Sequence, residues 1–404
     1  MSVWMCMNPA RKAVGQGADL SPLSLTTAQA VRRFHKTFKE YVPTPLTSLQ
    51  HLARELGVKN LLLKDESYRF GLNAFKVLGG SYAVGRFLAD RLERSIDTLS
   101  RDALCSPDLR RQMGDITFTT ATDGNHGRGV AWTAQQLGQK AIIYMPKGSA
   151  QTRVDNILAH GAQCIVTDLN YDDAVRMTWD LARKNGHVMV QDTAWDGYED
   201  IPTWIMQGYM TLALEALEQM RAQNLLPTHV FLQAGVGSFA GAVLGFLAAV
   251  LGSEAPAFVI VEPHKADCIY TSVLAGDGRP HAVTGDLDTL MAGLACGEAN
   301  TVSWGVLRDY ATAYISCPDY LAADGMRILA APLRGDPQIV SGESGAITTG
   351  VLRWLMQHPA ARTQRAALGL DKDSTVLLIS TEGDTAPSIY REVVWFGHYP
   401  DEDM

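Results

Sequence analysis

Three stretches carry residues whose types and spacing could do chemistry. Lys76, in "NAFKVLGGS", stands among Phe75, Val77, Leu78 and the small Gly79, Gly80 and Ser81, where a helical pattern begins. Apolar surroundings desolvate a lysine ammonium, lower its pKa and favour the neutral amine needed for a Schiff base. The other reading is a helix lysine whose head reaches water. "TTATDGNHGRGVAW" (119–132) runs from a β-rich stretch into a Gly-flanked turn holding Asp123, Asn125 and His126. A carboxylate there would repel an anionic ligand, so Asp123 is either a chemical group or an Asx-turn or N-cap residue. His126 reads as a first-turn helix residue. In "QAGVGSFAG", Gly235, Val236, Gly237 and Ser238 stand between a strand pattern and a helix pattern. Backbone N–H groups and one hydroxyl suffice there to hold a phosphate at a helix N-terminus.

The elements that must position these residues are those of an α/β protein. From about residue 115, short β-rich runs ("DITFTTA", "KAIIYM", "QCIVTD", "HVMVQD", "PTHVFLQ", "AFVIVE") alternate with helical stretches, one of them long, from about Ile201 to Asn224. That alternation predicts βαβ units and a parallel sheet. Gly138, Gly161, Gly186 and Gly252 follow the helical stretches as C′ caps. A chain of 404 residues has room for two lobes. The longest apolar run, 239–251, is too short to span a bilayer and reads as a buried helix. A net charge of −8 argues against a nucleic-acid or anionic-membrane surface. The six cysteines include no CxxC, so neither a metal site nor a disulfide scaffold is expected. The first residues lack a signal-peptide apolar region, which makes a cytoplasmic location the expectation.

The segment "HVFLQAGVGSFAGAVLGFLAAVLGSEAPAFVIVE" comes close to a dinucleotide fingerprint, with Glu262 as the ribose acid. It fits a monophosphate cradle equally well. The other motifs decide between them. "NAFKVLGG" resembles the lysine motif of fold-type-II pyridoxal-phosphate enzymes, the tryptophan-synthase β-like group with the threonine and serine dehydratases. "TDGNHG" resembles that group's Ser-x-Gly-Asn-His element, and "AGVGSFAG" its glycine-rich phosphate loop. "LLISTEGDT" (377–385) resembles its C-terminal strand. The resemblance implies two α/β lobes with pyridoxal 5′-phosphate between them. A large lobe would comprise 1–80 and 204–404, and a small inserted lobe 81–203. It also implies cofactor contacts from Lys76, Asn125, Gly235, Val236, Gly237 and Ser238, and from Ser380 or its neighbour Thr381 at the pyridine nitrogen.

Within that group, "KDESYRFGLNAFKVLGG", "TDGNHGRGVAW", "YMPKGSAQTRVDNIL", "QDTAWDGYEDIPTWIMQGY", "MAGLACGEAN", "SGESGA" and "STEGDT" are similar to the diaminopropionate ammonia-lyases. The similarity runs over roughly 40–397, while the first 35 or so residues carry no motif. It implies conversion of both D- and L-2,3-diaminopropionate to pyruvate and two ammonia; the alternative is a serine or threonine dehydratase of the same fold. The implied assembly is a homodimer. Lys76 would take the Cα proton on its own face, leaving the other face to Asp123, since general-base catalysis requires hydrogen-bond proximity. Asp192 would hold or protonate the departing β-amino group, or else be an acid in a loop after a strand. Lesser candidates are Glu343, either near the cofactor or at a helix start, and Thr122 and Lys64, which would frame a carboxylate pocket. A Cys268–Cys296 bridge is open, with free thiols favoured.

Overall fold

A computed structural model of the chain describes residues 2–401. Its eleven strands form two sheets. The strands are β1 (Trp4–Met7), β2 (Leu46–Ser48), β3 (Asn60–Asp65), β4 (Thr117–Ala121), β5 (Lys140–Met145), β6 (Gln163–Val166), β7 (Val188–Met189), β8 (His229–Gln233), β9 (Ala257–Pro263), β10 (Ala313–Cys317) and β11 (Thr375–Ser380). The four-stranded sheet runs β6-β5-β4-β7 and the seven-stranded one β1-β10-β9-β8-β11-β3-β2. The smaller sheet is parallel throughout. The larger is parallel only in its interior, because β1 and β2 lie antiparallel at its two edges. An edge strand has one neighbour and needs no crossover helix, so a short antiparallel segment closes the sheet at little cost. β1 comes from the N-terminal stretch in which no motif was legible.

The interior strands are apolar on both faces, and their side chains sort by the period of two. Leu62, Val230, Leu232, Ile260, Leu377 and Ile379 enter one core. Leu61, Leu63, Phe231, Val259, Val261, Val376 and Leu378 enter the other. The register Leu62↔Leu377 and Leu63↔Leu378 keeps each pair on a common face. The apolar run 239–251 is indeed a buried helix, Ser238–Leu251. The long helical stretch becomes Asp200–Arg221. Strand pairing in "HVMVQD" is confined to Val188–Met189, after which the chain turns into a loop. Among the described residues no helix is long and apolar enough to cross a membrane.

The segments leaving β4, β5, β7, β8 and β11 all border one cleft: Thr122 and Asp123, Pro146–Ala150, Asp192, Ala234–Ser238, and Thr381 with Glu382. Ligands of open α/β sheets bind outside the carboxyl ends of strands, and this cleft obeys that rule.

Candidate active site

Lys76 immediately precedes the helix Val77–Arg91. The apolar run that follows it is fully buried, which brings the lysine to the cleft wall while its side chain stays 18% exposed. Its Nζ forms a hydrogen-bonded ion pair with Asp192 Oδ2. The expectation of a lowered lysine pKa is overturned here. Burial alone does push the ammonium down, but the charge of Asp192 outweighs it, and the group lies above the usual lysine range. Burial would likewise raise the Asp192 carboxyl, and the Lys76 charge reverses that to hold it below the usual carboxylate range. The other oxygen, Oδ1, accepts from Tyr171 Oη at 3.2 Å and Gln191 Nε2 at 3.4 Å. Asp192 is therefore a buried anion with a fixed orientation rather than a surface loop acid.

Asp123 is held differently. The helix Asn125–Gln136 has Gly124 at its N-cap and no side-chain cap. The turn is closed by Thr122, whose Oγ1 accepts from Gly124 N at 2.9 Å and Gly127 N at 3.0 Å. Asp123 is thus free of any capping duty. Its carboxylate, 17% exposed, lines the cleft and meets Arg153 Nη1 at 3.4 Å. Asn125 opens the helix and also lines the cleft. His126 is buried, and its Nε2 donates to the Val190 carbonyl at 2.7 Å. Burial lowers its pKa, so the ring is a neutral packing element with Nδ1 4.0 Å from Asp192 Oδ2.

Gly235, Val236, Gly237 and Ser238 form the opposite wall. Gly237 has φ +95°, and a Cβ there would come within 2.9 Å of Leu307 Cδ1, so only glycine makes this turn into the helix Ser238–Leu251. The helix's first-turn N–H groups, which have no intrahelical acceptor, border the cleft. Ser238 Oγ donates to the Asp192 carbonyl and accepts from Asn300 Nδ2 at 2.8 Å, tying this turn to the loop after β7 that carries Asp192. Of the two hydroxyls at the end of β11, Thr381 lines the cleft. Ser380 is fully buried, donating to Ser341 Oγ at 2.7 Å. Gln233 donates through Nε2 to Thr381 Oγ1 at 3.0 Å. Its Oε1 is buried at the cleft with no hydrogen-bond partner among the described residues.

Some expectations fail on geometry. Lys64 frames no pocket: its ammonium is fully buried, donating to Thr44 O, Glu215 Oε2 and Gln219 Oε1 at 2.7, 2.9 and 2.9 Å. Glu262 meets no ribose, because its carboxylate accepts from Ile269 N and Tyr270 N at 2.9 and 2.7 Å and caps the helix Cys268–Ala275. Glu343 is the first residue of the helix Glu343–Gln357, and it pairs with Arg153 Nη2 at 2.5 Å. Cys268 and Cys296 are free thiols, the favoured alternative, as are the other four. Among the cleft residues that were given no role from the sequence are Arg153, Tyr171, Gln233 and Glu382. For Arg153 a signal existed: it shares the buried face of its helix with Val154 and Ile157, an unusual place for a cation.

The cleft, a cavity of about 300 Å³, thus joins a lysine, a helix N-terminus behind a glycine turn, and a buried unpartnered amide oxygen. These features fit an aldehyde-bearing cofactor with one phosphate. The family model for pyridoxal-phosphate dependent enzymes matches residues 37–382. A diaminopropionate ammonia-lyase of Salmonella typhimurium is 55% identical over 96% of this chain and 97% of its own. The chain belongs to that family. The holo diaminopropionate ammonia lyase of Escherichia coli superposes with a TM-score of 0.92 at 53% identity, covering 99% of this chain and 98% of that one. The same Escherichia coli enzyme, solved with an aminoacrylate-PLP azomethine reaction intermediate, gives 0.90 at 52% identity and the same coverage. The family uses pyridoxal phosphate, and the fold is that of its type-II enzymes.

Proposed function

We propose that this chain converts 2,3-diaminopropionate and water to pyruvate and two ammonia, accepting both isomers. The observation that carries the reading is the pair of cleft carboxylates, Asp123 and Asp192, beside Lys76. A hydroxyl leaving group, as in a dehydratase, needs no anion for a second ammonium. Lys76 would hold pyridoxal phosphate by its aldehyde, the 235–238 turn its phosphate, Asn125 its 3′ oxygen, and Thr381, the hydroxyl at the cleft, or Ser380 its pyridine nitrogen. When bound, the cofactor supplies the electron sink that makes the Cα proton acidic. Lys76, as a free amine, would remove the Cα proton on its own face. Asp123, whose carboxylate meets Arg153 while Lys76 pairs with Asp192, serves the other face. Asp192 already binds one ammonium, that of Lys76, and its buried, donor-fixed carboxylate suits the β-ammonium of substrate and the proton it carries away.

The strands of the smaller sheet fall between 117 and 189 and those of the larger outside them, which supports an inserted unit 81–203 within 1–80 and 204–404. A cytoplasmic homodimer completes the reading, and sedimentation of the holoenzyme tests the dimer. The function is tested by pyruvate release from D- and L-diaminopropionate and from serine. Asp123→Asn should lose about 100-fold more rate on the D- than on the L-isomer, in the range of general-base contributions. Equal losses would remove the two-face assignment, and faster turnover of serine than of either isomer would remove the substrate.

A further inference from the structure

The proposed reaction leaves the burial and partners of Arg153 unexplained. Its guanidinium, 6% exposed, lies between carboxylates from both sheets' units: Asp123 after β4, and Glu343 at the start of the helix Glu343–Gln357. The negative charge of Glu382, after β11, acts on it as well. Among the described residues Arg153 is the only hydrogen-bond partner of Asp123. Its stem also shapes the turn beside that aspartate. Gly124 has φ +150°, and a Cβ there would come within 2.9 Å of Arg153 Cδ and 3.2 Å of its Cβ and Cγ. The contacts are unequal: 2.5 Å to Glu343 anchors the fork, while 3.4 Å to Asp123 orients a carboxylate without immobilising it. Glu343 is itself well placed, since a first-turn carboxylate is favoured by the helix dipole.

We propose that Arg153 is a positioning residue that sets the Asp123 carboxylate for proton removal from the D-isomer, with Glu343 as the anchor of its guanidinium. The inference rests on Asp123 serving the face away from Lys76. A planar fork can meet two carboxylates at once, which the single ammonium of lysine does poorly. Losing the fork lets Asp123 move, and a misplacement near 1 Å costs about 100-fold. The isomer that depends on Asp123 carries that cost, and the one that depends on Lys76 does not.

The test compares kcat and KM on both isomers for the holoenzyme and for Arg153→Gln, Arg153→Lys, Glu343→Gln, Asp123→Asn and the Asp123→Asn/Arg153→Gln double variant. The visible band of bound cofactor reports loading. Arg153→Gln should lower the D-to-L ratio of kcat/KM by about ten-fold or more, through kcat rather than KM. Arg153→Lys should lower it less, and Glu343→Gln should shift it in the same direction. The double variant should lose no more on the D-isomer than Asp123→Asn alone, because the two residues act as a unit. Should Arg153→Gln fail to yield holoenzyme, Arg153→Lys and Glu343→Gln carry the same comparison. An unchanged ratio, or additive losses in the double variant, overturns the proposal. If Asp123→Asn is D-selective and Arg153→Gln is not, the positioning role alone fails. If Asp123→Asn strikes both isomers alike, the two-face reading fails and this inference with it.

Discussion

Two lysines twelve residues apart, Lys64 and Lys76, end in opposite electrostatic situations. Lys64 has three acceptors, and its partner Glu215 is shared with Arg69 at 2.7 Å, which in turn pairs with Glu66 at 2.8 Å. Every charge in that cluster is buried and matched. Burial there wins over the carboxylates and keeps the Lys64 ammonium below its ordinary value. Lys76 has a single acceptor, Asp192, and opens on a cavity; there the carboxylate wins and the ammonium is raised. A lysine that is saturated holds the fold. One left with a single ion pair beside a cavity can exchange that partner for a ligand.

The contrast breaks first at Lys76. Lys76→Ala should cost about 10⁴-fold or more in kcat on both isomers, as loss of a covalent catalytic group does elsewhere; residual turnover near wild type would put the chemistry on another residue. At Lys64 the effect should fall on stability instead. Lys64→Met leaves Glu66 and Glu215 against Arg69 alone in the interior and should cost about 3–5 kcal/mol, read by denaturant titration, while the folded fraction keeps its turnover. A stable but inactive variant would reverse the two assignments. Asp192→Asn should reduce turnover of both isomers by about 10²–10³-fold, since it removes the anion that meets the β-ammonium of either one. An isomer-selective loss would give it the role assigned to Asp123.

The smallest effect concerns Glu382, which burial and then the neighbouring Glu343 charge push up to about 7. Its unfolded value lies near 4.5, so between the two the native state binds the extra proton. The stability this group contributes is full below the unfolded value and is lost as pH rises through about 7. Glu382→Gln, neutral at every pH, should flatten the fall in stability between pH 5 and pH 8. Parallel pH slopes in the variant and the parent would show that the carboxyl ionises freely in the fold.

Much of the architecture was legible because its signals are local. The strand and helix alternation after residue 115, the apolar helix 239–251 and the glycine turn at 235–237 each follow from contiguous residues and the periods of two and 3.6. The edges of the larger sheet were not legible. β1 and β2 have four and three residues, and their pairing partners lie far away in sequence or across a short helix. The lysine, the aspartates and Asn125 stood out by type and by motif. Arg153 was marked only by its place beside Val154 and Ile157, and nothing local says that an arginine turned inward on a short helix will find Glu343, 190 residues on.

The sequence by itself determined the α/β class and the glycine turn at 235–237, and it marked Lys76, Asp123, Asn125 and Asp192 as candidates, all written in short segments. Only the tertiary structure decided which hydroxyl after β11 borders the cleft, that Lys64 belongs to a sealed charge cluster, and that Asp192 outweighs desolvation at Lys76. Those outcomes depend on sums of burial and charge from segments more than a hundred residues apart. Such sums take a sign only once folding has fixed the distances.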